Sequence, residues 1–207
     1  MPIITVSRQY GSGGSEVAER VATILGWHLY DNDVVDEVAR RLGMTSEDVS
    51  AREERVPSLP ERIASAMALG MPEMMPSMAD LALKPDDERI LGMTKLVMEE
   101  AVLAGPAVLV GRGAQCMLAA RSDALHVFCY SPTEALISYA ITNLGVAPGD
   151  AARVVEQTNH QREMWVKRHW RRNWRDVSNY HLCVNTAWLG LDGSAELVAK
   201  LAQERFG

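Results

Sequence analysis

The chain has 207 residues, a formal net charge of −6 and 47% hydrophobic residues, enough to bury one sizeable core and build a single domain. No apolar run reaches the roughly 18 residues of a membrane-spanning helix, and the opening lacks the basic and apolar regions of a signal peptide. Cys116, Cys129 and Cys183 are odd in number and widely spaced. They indicate neither a disulfide framework nor a zinc site, and with the acidic balance they point to a cytoplasmic protein that is not a general nucleic-acid binder.

The opening stretch, Ile3-Ile4-Thr5-Val6, is rich in β-branched residues and predicts a buried strand. Gly11, Gly13 and Gly14 follow, and Val17, Val21, Ile24 and Leu25 then recur at helical spacing. A strand, a glycine loop and a helix start form a phosphate-binding arrangement, because backbone N–H groups and the positive end of the helix dipole converge there. On the template G-x-x-x-x-G-K-[ST], Gly13 holds the second glycine and Ser15 the hydroxyl that faces Mg²⁺. Arg8 stands where the first glycine belongs, and Gly14 where the lysine belongs. Backbone groups of Gly11, Ser12, Gly13, Gly14, Ser15 and Glu16 are the candidate phosphate contacts.

Trp27–Tyr30 predicts a short strand ending at Asp31, and Asp31-Asn32-Asp33 opens an amphipathic helix with Val34, Val35, Val38 and Leu42, stopped by Gly43. Thr45 and Ser46 start another helix. From about 51 to 85 prolines interrupt the pattern and Met67, Met71, Met74, Met75 and Met78 cluster. Such flexible side chains suit an adaptable ligand lobe, a partner surface or irregular core. A helix follows from about Asp86 to Leu103, with Ile90, Leu91, Leu96, Val97 and Val102 as its apolar positions. Ala107–Val110 is a second fully apolar strand that runs into Gly111-Arg112-Gly113. Leu125–Cys129 is a further strand, and Pro132-Thr133-Glu134 begins a helix. The last strand is His181–Asn185, and the last helix runs from about Ser194 to Glu204.

Alternation of short strands with helices predicts an α/β domain with a mostly parallel, five-stranded sheet covered by helices on both faces. Ligands in such sheets bind at the carboxyl edge of the strands, where the Ser7–Gly14 loop, Asp31 and Gly111–Gly113 all fall. The segment 160–175 carries six Lys/Arg against one acid. Read as one helix, it brings Arg168, Arg171 or Arg172, and Arg175 to one face, a site for phosphate oxygens. A solvated surface and a nucleic-acid patch stacking Trp165, Trp170 and Trp174 are the rival readings.

Together, Thr5 to Gly14, Leu29-Tyr30-Asp31, Gly111-Arg112-Gly113 and Asn179 to Thr186 resemble the cytidylate-kinase-like family, P-loop relatives of the nucleoside monophosphate kinases, whose loops also lack the lysine. The resemblance spans nearly the whole chain. It implies a P-loop NTPase-like core, a helical nucleoside-monophosphate-binding lobe at about 31–90 and a basic LID at about 148–176. Authentic cytidylate kinases carry lysine at the position of Gly14, aspartate at that of Gly113, and an arginine one turn after the aspartate matching Asp31. Here that last position is Glu37, and the nearest arginine is Arg40.

The resemblance implies phosphoryl transfer from ATP·Mg²⁺ to a nucleoside monophosphate or a similar small acceptor. Arg8, helped by Arg168, stands in for the lysine; Arg112 holds the acceptor phosphate; Asp31 meets the acceptor base or a metal-bound water, and Arg40 the acceptor; Arg162, Arg168 and Arg172 arrive on LID closure. Ser15 is the metal contact. Two alternatives remain: a catalytically weak nucleotide- or phosphate-binding sensor that signals to a partner, and a kinase for a non-nucleotide metabolite. An oligomer is left open, and neither membrane nor nucleic acid is expected as a partner.

Overall fold

The computed structural model describes residues 1–53 and 85–207. The methionine cluster and most of the expected 31–90 lobe lie outside the described residues. Five strands, β1 (Ile3–Arg8), β2 (His28–Tyr30), β3 (Ala107–Val110), β4 (Ala124–Tyr130) and β5 (Leu182–Asn185), form one sheet in the order β2-β3-β1-β4-β5. Every pairing is parallel. β1 is central, with Val6 opposite Val110 on one side and Val127 on the other. Its residues 3–6 are apolar or β-branched because both faces are covered.

The intervening helices are α1 (Gly14–Leu25), α2 (Asn32–Leu42), α3 (Ser46–Glu53), α4 (Pro85–Ala104), α5 (Ala114–Met117), α6 (Thr133–Asn143), α7 (Ala151–Trp170) and α8 (Thr186–Phe206). Alternation along β1 divides the core. Ile4 and Val6 pack with Val17 and Val21 of α1 and Val198 of α8, while Ile3 packs with Val34 and Val38 of α2 and Met98 of α4. Further along the sheet, Phe128 gathers Trp174, Tyr180 and Val166 into a third cluster. Arg8 is in register with Cys129, itself part of the α1 face, so the strand's own parity delivers Arg8 beneath the start of α1.

Several boundaries depart from the sequence pattern. Ile24 and Leu96, expected on apolar stripes, are 48% and 43% exposed; Val21 and Val97 on the same helices take the buried positions. The final helix begins at Thr186, where Asn185 caps it by accepting from the Trp188 amide, and Gly190 (φ 73°) breaks it before Ser194. The expected continuous basic helix ends at Trp170. Arg171 adopts φ 55° and closes it, and a short 3₁₀ turn at Val177–Asn179 leads toward β5. No helix among the described residues is long and apolar enough to cross a membrane.

Candidate phosphate-binding site

The loop after β1 is held from three sides. Ser12 Oγ donates to Gln9 O (2.8 Å), Thr186 Oγ1 donates to Ser12 O (2.6 Å), and the Tyr10 amide donates to Asn159 Oδ1 on α7 (2.7 Å). Gly13, at φ 67°, is the N-cap of α1, and a β-carbon there would run into Leu191. Both conformation and crowding therefore demand glycine. Glu16, in the first turn of α1, accepts from the Tyr139 hydroxyl at 2.8 Å. Burial first and this carboxylate second push the Tyr139 phenol up to about 12.

The missing lysine has a steric explanation. A β-carbon on Gly14 would overlap the Arg8 β-carbon and crowd that of Cys129. Arg8 therefore occupies the room in which a side chain at position 14 would begin, and the two departures from the loop template are one reciprocal exchange. The Arg8 guanidinium reaches over Gly111, where an added β-carbon would meet its Nη1. Its Nε donates to Ser15 Oγ at 3.3 Å, and its Nη2 lies 3.4 Å from Asp31 Oδ1.

Asp31, at the carboxyl end of β2, also lies 3.5 Å from Arg112 Nη1. Arg112 sits between Gly111 and Gly113 and holds φ 47° itself, a left-handed conformation that costs a non-glycine residue on the order of 1–3 kcal/mol. Such strain at a strand end is characteristic of functional loops. Arg162, from α7, donates to the Arg8 carbonyl at 2.8 Å and stands 5.8 Å above the Tyr10 ring. Arg8 and Arg112 share the Asp31 carboxylate, and Arg162 joins them from α7. These guanidiniums, largely out of water (Arg8 16% and Arg112 14% exposed), carry the planar donor forks that match phosphate oxygens. Arg8, Arg112 and Arg162 line a cavity of about 100 Å³, with Gln115, Trp165 and Trp174 also on its wall.

The remaining expected site residues fall elsewhere. Arg168 is exposed on the last turn of α7 and does not line this cavity. Arg172 lies past the helix end, exposed, with Nη1 3.3 Å from Asn179 Oδ1. Arg175 faces Glu163 at 3.4 Å, so the shared basic face does not form. Arg40 is 70% exposed and locked to Glu37 of its own helix at 2.6 Å; these two charges hold each other, and the arginine pair Arg40 and Arg41 keeps the Glu37 carboxyl down at about 2. The tryptophans anchor the segment. Trp174 meets Phe128 edge-on at 5.3 Å, and Trp165 and Trp170 press on Gly113, where a β-carbon would strike both rings. That contact accounts for glycine where cytidylate kinases carry aspartate.

Two buried amides, Asn159 (3% exposed) and Gln115 (1%), were not singled out by the sequence reading. A signal exists for Asn159, which shares a helical stripe with the buried Val155 and Val166; a polar residue in such a stripe needs a partner. Gln115 sits in the apolar run Ala114–Leu118. Serine 15 is the metal candidate. Mg²⁺ binds through one or two protein oxygens plus phosphate oxygens, so Ser15 with Asp31 nearby fits it, and no cluster of three His, Cys, Asp or Glu occurs among the described residues.

The sequence profile of the cytidylate kinase-like family matches residues 3–187. No curated protein matches the chain significantly. Among solved structures, an uncharacterized protein from Eubacterium ventriosum superposes with a TM-score of 0.70 at 17% identity, covering 98% of this chain and 99% of that one. TT1252 from Thermus thermophilus gives 0.55 at 17% identity over 100% and 98%. Shikimate kinase from Acinetobacter baumannii, in complex with shikimate, gives 0.51 at 15% identity over 100% and 95%. At these identities the likeness is one of fold, the α/β fold of P-loop kinases.

Proposed function

The chain belongs to the cytidylate kinase-like family, and from that premise we propose that it transfers a phosphoryl group from ATP·Mg²⁺ to a nucleoside monophosphate or a similarly small acceptor. Family membership supports phosphoryl transfer in general. The observation that carries the finer reading is the exchange between Arg8 and Gly14: the fixed charge removed from the loop at 14 returns at the same junction, beside Ser15. Phosphoryl transfer asks the protein for positioning and positive charge rather than for a covalent nucleophile.

When bound, ATP·Mg²⁺ supplies the transferable group and a divalent charge on its phosphates. Amides of Gly11–Ser15 at the start of α1 cradle phosphate oxygens, and Glu16 fixes Tyr139 beside that turn. Ser15 Oγ would hold the metal, while Asp31 orients Arg8 and Arg112 and would meet the acceptor or a water of the metal's shell. Arg8 clamps the donor phosphates, and Arg112 the acceptor anion. Arg162 and Asn159 tie α7 to the loop, so that α7, as the LID, excludes water from the junction. Arg168, Arg172 and Arg40 do not line this cavity.

The test is to mix purified protein with ATP, Mg²⁺ and a panel of nucleoside monophosphates. Nucleoside diphosphate should appear, and Arg8→Ala should weaken ATP binding by on the order of 1.5–3 kcal/mol, as expected for a charged phosphate contact. Unchanged affinity and turnover in Arg8→Ala would refute the charge exchange. A second reading is a kinase for a small non-nucleotide acceptor, whose anionic group would meet the same three arginines that line the cavity. Saturable ATP binding, with turnover only on an acceptor outside the nucleotide panel, identifies it; binding without any turnover identifies the sensor.

A further inference from the structure

Thr186, the first residue of α8, is 5% exposed. Its hydroxyl oxygen has three oxygens within reach: Ser12 O at 2.6 Å, Ser131 Oγ at 2.8 Å and Tyr130 O at 3.3 Å. A hydroxyl has one hydrogen to give, and a carbonyl has none. The Thr186 hydrogen therefore goes to the nearer carbonyl, Ser12 O, and Ser131 Oγ must in turn donate to Thr186 Oγ1. The Ser131 amide donates to Gln9 Oε1 at 3.0 Å, which ties the start of this relay to the end of β1. The relay has one direction and ends on a carbonyl of the glycine loop. Ser12 and Ser131 are themselves buried, and hydrogen bonds in series out of water strengthen one another.

The peptide unit joining Ser12 to Gly13 is planar, with its carbonyl and its N–H on opposite sides. A clamp on Ser12 O therefore also fixes the Gly13 N–H, which points away from Thr186. Gly13 is the N-cap of α1, where amides and the helix dipole together favour an anion. We propose that Thr186 is a positioning residue for the donor phosphates: by holding Ser12 O, it aims the Gly13 amide at a phosphate oxygen at the start of α1. That role rests on the phosphoryl-transfer reading for the word donor, whereas the grip on a polyphosphate does not.

Thr186→Val keeps the shape of the side chain and removes the hydroxyl; Thr186→Ser keeps the hydroxyl and serves as the rescue. Titration calorimetry with Mg²⁺ and inorganic tripolyphosphate, and separately with ATP·Mg²⁺, reads the effect at a temperature where circular dichroism shows each variant folded. Thr186→Val should bind both about tenfold more weakly, and Thr186→Ser within about threefold of the parent. A hydroxyl that serves the fold alone would lower the melting temperature of Thr186→Val and leave the affinity of the folded protein unchanged, which overturns the proposal. So does a Thr186→Ser chain as weak as Thr186→Val, or a parent that binds no tripolyphosphate. Should Thr186→Val not fold, Ser131→Ala takes its place. Losing the hydrogen that Ser131 gives to Thr186 should weaken tripolyphosphate binding about threefold, and an unchanged affinity there overturns the proposal as well. Tripolyphosphate binding that depends on Thr186, with no turnover of ATP on any acceptor, refutes the kinase reading and leaves the role of Thr186 standing.

Discussion

The two arginine-bearing regions of this molecule were both expected to hold phosphate, and they are built in opposite ways. At the β1–α1 junction, Arg8 is placed by strand parity and by register with Cys129. In the segment 160–175, position is decided by rings: Trp174 on Phe128 and Trp165 with Trp170 on Gly113. The first region keeps its charge inside. The second sends Arg162 inward and leaves Arg168, Arg172 and Arg175 exposed. Charge density along a chain is therefore a poor guide to charge density at a site; what matters is which element fixes each side chain.

The largest effect that sharpens this contrast is on stability. Trp174→Ala should cost about 3–5 kcal/mol, the usual toll for emptying a buried aromatic site, read as a shift in urea midpoint, because that ring (3% exposed) holds the second region to the sheet. A small effect would mean that the basic segment is tethered by its charges after all.

Next comes a buried histidine of the sheet that both regions lean on. His126 is buried in β4, linked to Thr5 Oγ1 at 2.8 Å and stacked on His181 at 4.9 Å. Burial, and then the neighbouring His181 charge, lower its pKa from 6.5 to about 4, with Arg172 adding a smaller push the same way. Between those values the unfolded chain binds more protons than the folded one, so stability is lost as pH falls from about 6.5 toward 4 and levels off below. The loss should reach a few kcal/mol, and His126→Asn should flatten the dependence in a series of melts at fixed ionic strength. An unchanged slope would assign the acid loss to other groups.

The smallest effect belongs to the exposed arginine. Arg172→Ala should change stability by less than about 0.5 kcal/mol, as surface substitutions do, and leave ATP affinity at that of the parent in calorimetry. A tenfold loss of ATP affinity would show that the second region closes further and brings its charges in.

Much of this was legible in the chain. The strands from Ile3, Ala107 and Leu125 show in their apolar runs, and their order of use, strand then glycine loop, places Asp31, Arg8 and Arg112 at one edge without coordinates. What was not legible depends on partners distant in sequence. The stop at Trp170 has no glycine or proline to announce it; Arg171 takes the left-handed turn itself. Asn159 shows as a polar break in an apolar helical stripe, but its partner, the Tyr10 amide, lies 149 residues away and is visible only in the fold. Arg40 enters only through the family resemblance, as the arginine nearest to the position that Glu37 fills here, and Glu37, one turn earlier, holds it on the exposed face of α2.

The most direct measurement exchanges the two loop residues. Gly14→Lys alone should disrupt the junction and abolish ATP·Mg²⁺ binding, because its β-carbon has no room beside Arg8. Adding Arg8→Gly should restore ATP·Mg²⁺ affinity to within about tenfold of the parent, since the charge then returns by the route the loop template uses. A doubly exchanged chain that binds no better than Gly14→Lys, or a Gly14→Lys chain that binds as well as the parent, would contradict the claim that Arg8 has taken the lysine's place.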